Sequence, residues 1–220
     1  MPPAMADVIG LKTFIIIFVF AVSLTTSEII RGFCAYLLGD RYGYVERRFT
    51  TNPLELVDFV GTIVLPVILI LCQSPIMGAS CHNVRIDFNR IKWGKLGIVL
   101  AILAKPFSEF LLCAFSLLFL QWSRQDSLAM EIFQVGVFLN AFLVAISFLP
   151  ILPVSGGQLI AALLPPRLRY TYEQHAPYSF FIFLFIILVL PMIGIDIMPI
   201  LQFIAMQVIT AAIFLVHFIV

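Results

Sequence analysis

Four charged residues stand out because they fall inside long apolar runs. Glu28 and Arg31 are three apart, and Lys105 and Glu109 are four apart. On a helix both spacings put the partners on one face, unless Pro106 breaks the turn between Lys105 and Glu109. An ionisable side chain within a membrane span costs several kcal/mol and marks a functional site by default. The bland reading is that each pair neutralises itself and only aids helix packing. The other is a shared polar core in which the Glu28–Arg31 pair extends to Lys105–Glu109. Nucleophilic alternatives are few. Ser27 or Ser155 would need Lys105 as an activating base, and no signature fixes that geometry. Cys34, Cys72, Cys81 and Cys113 form no CxxC pair and read as small core or loop thiols. Cys81-His82 is a weak metal signal, and His175 and His217 lack a ligand-like spacing.

The elements that must position these charges are membrane helices. The chain has 220 residues, of which 62% are hydrophobic and only 11% charged. A soluble domain carries about 25% charge, so a water-soluble globule is excluded, and so is a disordered chain. A net charge of +1 gives no basic field for nucleic acid. A membrane helix needs about 20 mostly apolar residues, and the apolar runs give six spans at about 11–38, 58–73, 96–121, 128–149, 177–194 and 198–219. The second is short and could be tilted or re-entrant. The run from Phe14 to Phe20 lacks a signal-peptide flank or cleavage pattern and reads as part of a retained helix.

Tyr42 to Thr51 alternates loosely and reads as a short β-hairpin at the membrane face. Residues 150–176 open with Pro150 and Pro153, turn at Gly156-Gly157 and end in Pro165-Pro166. At membrane depth such a segment must be covered by protein. The fold class is therefore an all-α polytopic membrane protein, with about six helices, a short β-hairpin and a re-entrant Pro/Gly segment. It forms one integral domain over 1–220, with a core at about 20–165 and a C-terminal helix pair at 177–219. Six alternating spans put seven basic residues on the side of the N-terminus and four on the other. The positive-inside rule then places both termini in the cytosol.

In order along the chain, four pieces resemble the site-2 protease family of intramembrane zinc metalloproteases. That family carries H-E-x-x-H on a membrane helix, with two His on zinc and the Glu as general base. Here the stretch reads Ser27-Glu28-Ile29-Ile30-Arg31 and continues to Ala35-Tyr36-Leu37-Leu38-Gly39-Asp40, close to a run in the family's compact members. Asn52-Pro53, Asp58 and Gly61-Thr62 match the family's N-P-x-x-x-x-D-x-x-G-T. Ala104-Lys105-Pro106-Phe107-Ser108-Glu109 sits where the family has A-G-P-x-x-N. Ser147 to Gly157, with Pro150, Pro153, Gly156 and Gly157, sits where it has N-L-L-P-I-P-P-L-D-G-G.

What the resemblance implies is a scaffold that keeps its prolines and glycines and has lost its metal ligands. The two His positions are Ser27 and Arg31, and the Asp position is Ser155. Only Glu28, the base position, remains. Zinc is the family's cofactor, but Arg has no lone pair to give and a neutral Ser hydroxyl is a poor donor, so no metal site is assigned. The balance is against an enzyme. The leading reading is a catalytically inactive site-2 protease-like protein that binds or assembles with membrane protein partners in the lipid bilayer. The charge network of Glu28, Arg31, Lys105 and Glu109 would replace the metal. The alternatives are an active intramembrane protease with non-standard catalytic groups, and a structural subunit of a larger membrane complex.

Overall fold

The structure is a computed structural model. It describes residues 3–43, 86–87, 90–123, 127–152, 154–175, 178, 181–182, 185–186, 193–194 and 197–219. Its elements are α1 (Pro3–Leu37), a 3-10 turn (Arg41–Gly43), α2 (Gly94–Trp122), α3 (Ser127–Ser147), α4 (Ser155–Leu163), α5 (Pro166–Gln174) and α6 (Met198–Ile219). Among the described residues no strand occurs. Among the described residues, four helices are long and apolar enough to cross a membrane: Leu11–Leu37, Gly94–Trp122, Leu128–Ser147 and Met198–Phe218. They coincide with the expected first, third, fourth and sixth spans. The expected spans at about 58–73 and 177–194 fall wholly or largely outside the described residues. So does the hairpin beyond its first residues, Tyr42 and Gly43, which belong to the 3-10 turn.

Helix α2 is the hub and packs on α1, α3, α4 and α6. Small side chains let its seams close. At the α2–α3 seam a Cβ on Gly136 would press on Ser116 Oγ, and Cys113 Sγ lies 3.5 Å from the Val137 carbonyl. Ala114, Ala141, Ala145, Ala205 and Ala212 line the neighbouring core between α2, α3 and α6. Between membrane helices, close backbone approach and dispersion replace the hydrophobic drive that water would supply. The second core joins α1 to α2 and α3 through Phe20, Leu24, Ile98, Ile102, Leu139 and Leu143.

The helix directions differ from the six-span expectation. Lys12 Nζ stands 3.8 Å from Glu131 Oε1, so α1 and α3 begin at the same end of the bundle. At the other end the Lys92 N–H donates to the Leu38 carbonyl at 2.8 Å. The Asp87 N–H there donates to the buried Asp40 carboxylate at 3.0 Å. Gly39 makes this closure possible. Its φ is +126°, and an added Cβ would sit 2.8 Å from the Arg90 carbonyl oxygen, a conformation and an approach that only glycine tolerates. Hence α1 ends and α2 begins at one end, where the expectation had them at opposite ends.

Helix α3 stops short of that end. It closes at Ser147, and the chain turns over 148–152 ahead of α4, which begins at Ser155. Gly156 and Gly157 seal the break. A Cβ on Gly156 would overlap the Leu149 and Phe148 carbonyl oxygens, and one on Gly157 would overlap Ile151. The expected Pro/Gly break is thus a tight packing of backbone on backbone, carried by the two glycines. Pro153 lies outside the described residues, and Pro150 is exposed.

Candidate functional site

The charges singled out in the sequence meet where α1, α2, α3 and α4 come together. Glu28 is completely buried on α1. Lys105 reaches from α2 to place Nζ 2.6 Å from Glu28 Oε1. Arg31, one turn beyond Glu28 and also buried, holds Nη1 3.5 Å from Glu28 Oε2. Its other terminal nitrogen, Nη2, donates to Gln158 Oε1 on α4 at 2.6 Å. One carboxylate therefore sits between two cations, and an amide ties the second cation to the helix after the break.

Glu109 forms the second part of the cluster. It is fully buried on α2 and accepts a hydrogen bond from Ser147 Oγ, the last residue of α3, at 2.9 Å. The helix continues through Pro106, so Lys105 and Glu109 are a turn apart as their spacing suggests. Their charges attract, yet the Lys105 ammonium is bonded to Glu28, not Glu109. The four formal charges sum to zero, which suits a site shielded from water, where an unpaired charge is far more expensive than a paired one.

The three positions that the resemblance assigns to metal ligands are differently placed. Ser27 Oγ donates to the Leu24 carbonyl of its own helix at 3.0 Å. Arg31 offers only donors. Ser155 begins α4, and its buried hydroxyl has no hydrogen-bond partner among the described residues. Zinc needs imidazole, thiolate or carboxylate donors, and these three residues supply none. Glu28, the one carboxylate beside them, is already shared by two cations. Among the described residues, those at these positions do not fit a zinc ion, and no three His, Cys, Asp or Glu side chains gather as a metal cage. Among the described residues a Ser–Lys pair is not formed either: Lys105 Nζ is bonded to Glu28, Ser27 Oγ donates to the Leu24 carbonyl, and Ser155 Oγ makes no hydrogen bond.

Of the remaining candidates, His175 is exposed and lies 2.7 Å from the Thr171 carbonyl. His217 is exposed near the end of α6. Asn52, Pro53, Asp58, Gly61, Cys72, Cys81 and His82 lie outside the described residues. The sequence reading missed Gln158. Its signal was present, because it follows Ser155 by three residues and a helix starting at Ser155 puts both on one face.

The chain is 27% identical, over 174 aligned residues, to a Bacillus subtilis (strain 168) protein named "Putative zinc metalloprotease YwhC". The match covers 74% of this chain and 75% of that protein. It suggests a metalloprotease-like family. No family model matches, and no solved structure matches.

Proposed function

We propose that this chain is a site-2 protease-like membrane protein in which an ion network stands in place of the metal. It acts by binding or assembling with membrane protein partners and not by cleaving peptide bonds. The observation that carries this reading is Arg31. It occupies the second His position of the family motif, is buried, and is clamped between Glu28 and Gln158. A guanidinium there neutralises the Glu that would otherwise serve as base. Without a metal to lower the pKa of water toward about 7, that Glu cannot generate the nucleophile. The likeness to YwhC supports the family part of the reading, and the donor set supports the loss of zinc.

Metal analysis of the detergent-purified chain tests it. The expected result is no stoichiometric zinc after incubation with the metal and desalting. Zinc bound one to one would overturn the proposal and favour an active protease. Purification in mild detergent should also bring down a membrane protein partner at fixed stoichiometry, and a chain that is always recovered alone argues against the assembly role.

A further inference from the structure

The contact between Leu38 and Lys92 redistributes the basic residues. Among the described residues, Arg41, Arg90, Lys92, Lys95, Arg167 and Arg169 all gather at the end of the bundle where α1 stops and α2 starts. Helices α4 and α5 belong to the same end. Arg31, near the end of α1, holds Gln158 of α4, and α5 follows α4 directly. Two of the six are matched by acids, Arg90 by Asp87 at 3.1 Å and Arg169 by Glu173 at 2.8 Å. Arg41, Lys92, Lys95 and Arg167 are exposed and have no acidic partner among the described residues. At the opposite end Lys12 is the one basic residue described, and Glu131 neutralises it.

The bundle is also anchored like a membrane body with two distinct faces. Trp93 and Trp122 flank α2 and are 71% and 87% exposed. At the usual helical rise they are about 43 Å apart, the thickness of a bilayer with its headgroups. Interfacial tryptophans sit at such levels. Helix α5 buries none of its residues and carries Arg167, Leu168, Arg169 and Tyr170, the composition of a helix lying at the headgroup layer.

We infer that the Leu38–Lys92 end faces the cytosol, with Arg41, Lys92, Lys95 and Arg167 seated on anionic headgroups of that leaflet, and that the N-terminus lies on the other side of the membrane. Lys and Arg near span ends set orientation by their excess on the cytosolic side, and each adds attraction to an anionic leaflet. Against the reading from six alternating spans this moves the N-terminus with Lys12 out of the cytosol and Arg41 into it, while the 74–95 loop and Arg167 stay on the cytosolic side in both. The Glu28 cluster then lies in the cytosolic half of the membrane. From Glu28 to Leu37 the helix climbs about 13 Å, against about 24 Å from Lys12 to Glu28.

Single cysteines test the assignment in a variant whose four native cysteines are replaced by serine. Leu11→Cys, Trp93→Cys and Thr171→Cys are each expressed in bacterial spheroplasts and treated with a membrane-impermeant maleimide. Leu11→Cys should label in intact spheroplasts. Trp93→Cys and Thr171→Cys should lose nearly all labelling until the membrane is permeabilised. Labelling of Trp93→Cys or Thr171→Cys in intact spheroplasts overturns the proposal. An N-terminal epitope tag on the unmodified chain gives a second readout. Antibody should bind it in intact spheroplasts, and binding only after permeabilisation overturns the proposal as well.

Discussion

Lys105 and Glu28 meet across the seam between α1 and α2, Nζ to Oε1 at 2.6 Å, although 77 residues separate them in the chain. The contact ties the two helices together at the point where their few charges are buried. A lysine placed one turn from Glu109 could have paired within its own helix. It crosses the seam instead, to a buried carboxylate that also adjoins Arg31. Two cations on one carboxylate leave it compensated on both oxygens.

Removing Arg31 should therefore destabilise the fold. Arg31→Ala strips one cation from Glu28 and removes the Arg31 hydrogen bond to Gln158. Breaking a buried ion pair on one side typically costs about 3–5 kcal/mol. Thermal unfolding in detergent should show a clearly lower midpoint for Arg31→Ala. An unchanged midpoint would rule out the ion network as the polar core.

The Glu28–Lys105 contact predicts non-additivity. Glu28→Gln leaves Lys105 with a neutral partner, and Lys105→Met removes the nearer of the two cations beside Glu28. Each single variant should lose stability, whereas Glu28→Gln with Lys105→Met should lose less than the two losses added. Coupling of about 0.5–3 kcal/mol is usual for residues in one network. A double-mutant cycle by thermal or denaturant unfolding measures it, and additive losses would show that the contact contributes nothing.

Much of this site was legible in the sequence, for a physical reason. In an apolar chain an ionisable residue at span depth has few places to go, so Glu28, Arg31, Lys105 and Glu109 could be picked out by position alone. Their pairing could not. Helical spacing suggested Lys105 with Glu109, but the distance across the seam decided for Glu28, and packing of α1 on α2 is not written in either helix's periodicity. Gln158 escaped because a neutral amide after a glycine pair carries no charge signal. The helix directions escaped because hydropathy counts runs without showing where a run returns, and the closure at Gly39 depends on one positive φ and a backbone contact with residues 90–92.

The break between α3 and α4 should be intolerant of side chains. Gly157→Ala would drive a Cβ into the Ile151 backbone, and Gly156→Ala would drive one into the Leu149 and Phe148 carbonyls. Neither neighbour is the flexible tip of a side chain, so the backbone itself must move. Overpacking typically costs about 1–3 kcal/mol, and displacement of α4 would also pull Gln158 from Arg31. Both variants should unfold at lower temperature than the parent. Normal stability for both would mean that the turn is looser than this packing requires.

Tyr172 offers a pH-dependent prediction outside the spans. Its hydroxyl donates to the Pro150 carbonyl at 3.2 Å, and partial burial raises its pKa above the usual tyrosine value. A raised pKa favours the protonated form in the folded chain. The associated stability is complete below the unfolded-state value and is lost as pH rises through the folded one. Alkaline unfolding of the parent should thus include a contribution that Tyr172→Phe lacks. Near neutral pH the same variant should lose about 1 kcal/mol or less, the net worth of one hydrogen bond. Identical alkaline profiles for parent and variant would exclude Tyr172.

The strongest test of the family reading is to put the ligands back. Ser27→His, Arg31→His and Ser155→Asp restore the family's donors at its positions, and Lys105→Gly removes the cation that now occupies Glu28. If these positions converge as the resemblance implies, the fourfold variant should bind zinc near one to one while the parent binds none. Two imidazoles and a carboxylate are a sufficient protein set for a zinc that keeps an open position. The variant must first be shown to be folded, by a cooperative thermal transition, since removing Arg31 and Lys105 without a metal leaves Glu28 uncompensated. Added zinc should then raise its midpoint, because a ligand that binds only the folded state stabilises it by mass action. A folded variant that neither holds zinc nor gains stability from it would show that Ser27, Arg31 and Ser155 are not displaced metal ligands, and the site-2 protease reading would fall with them.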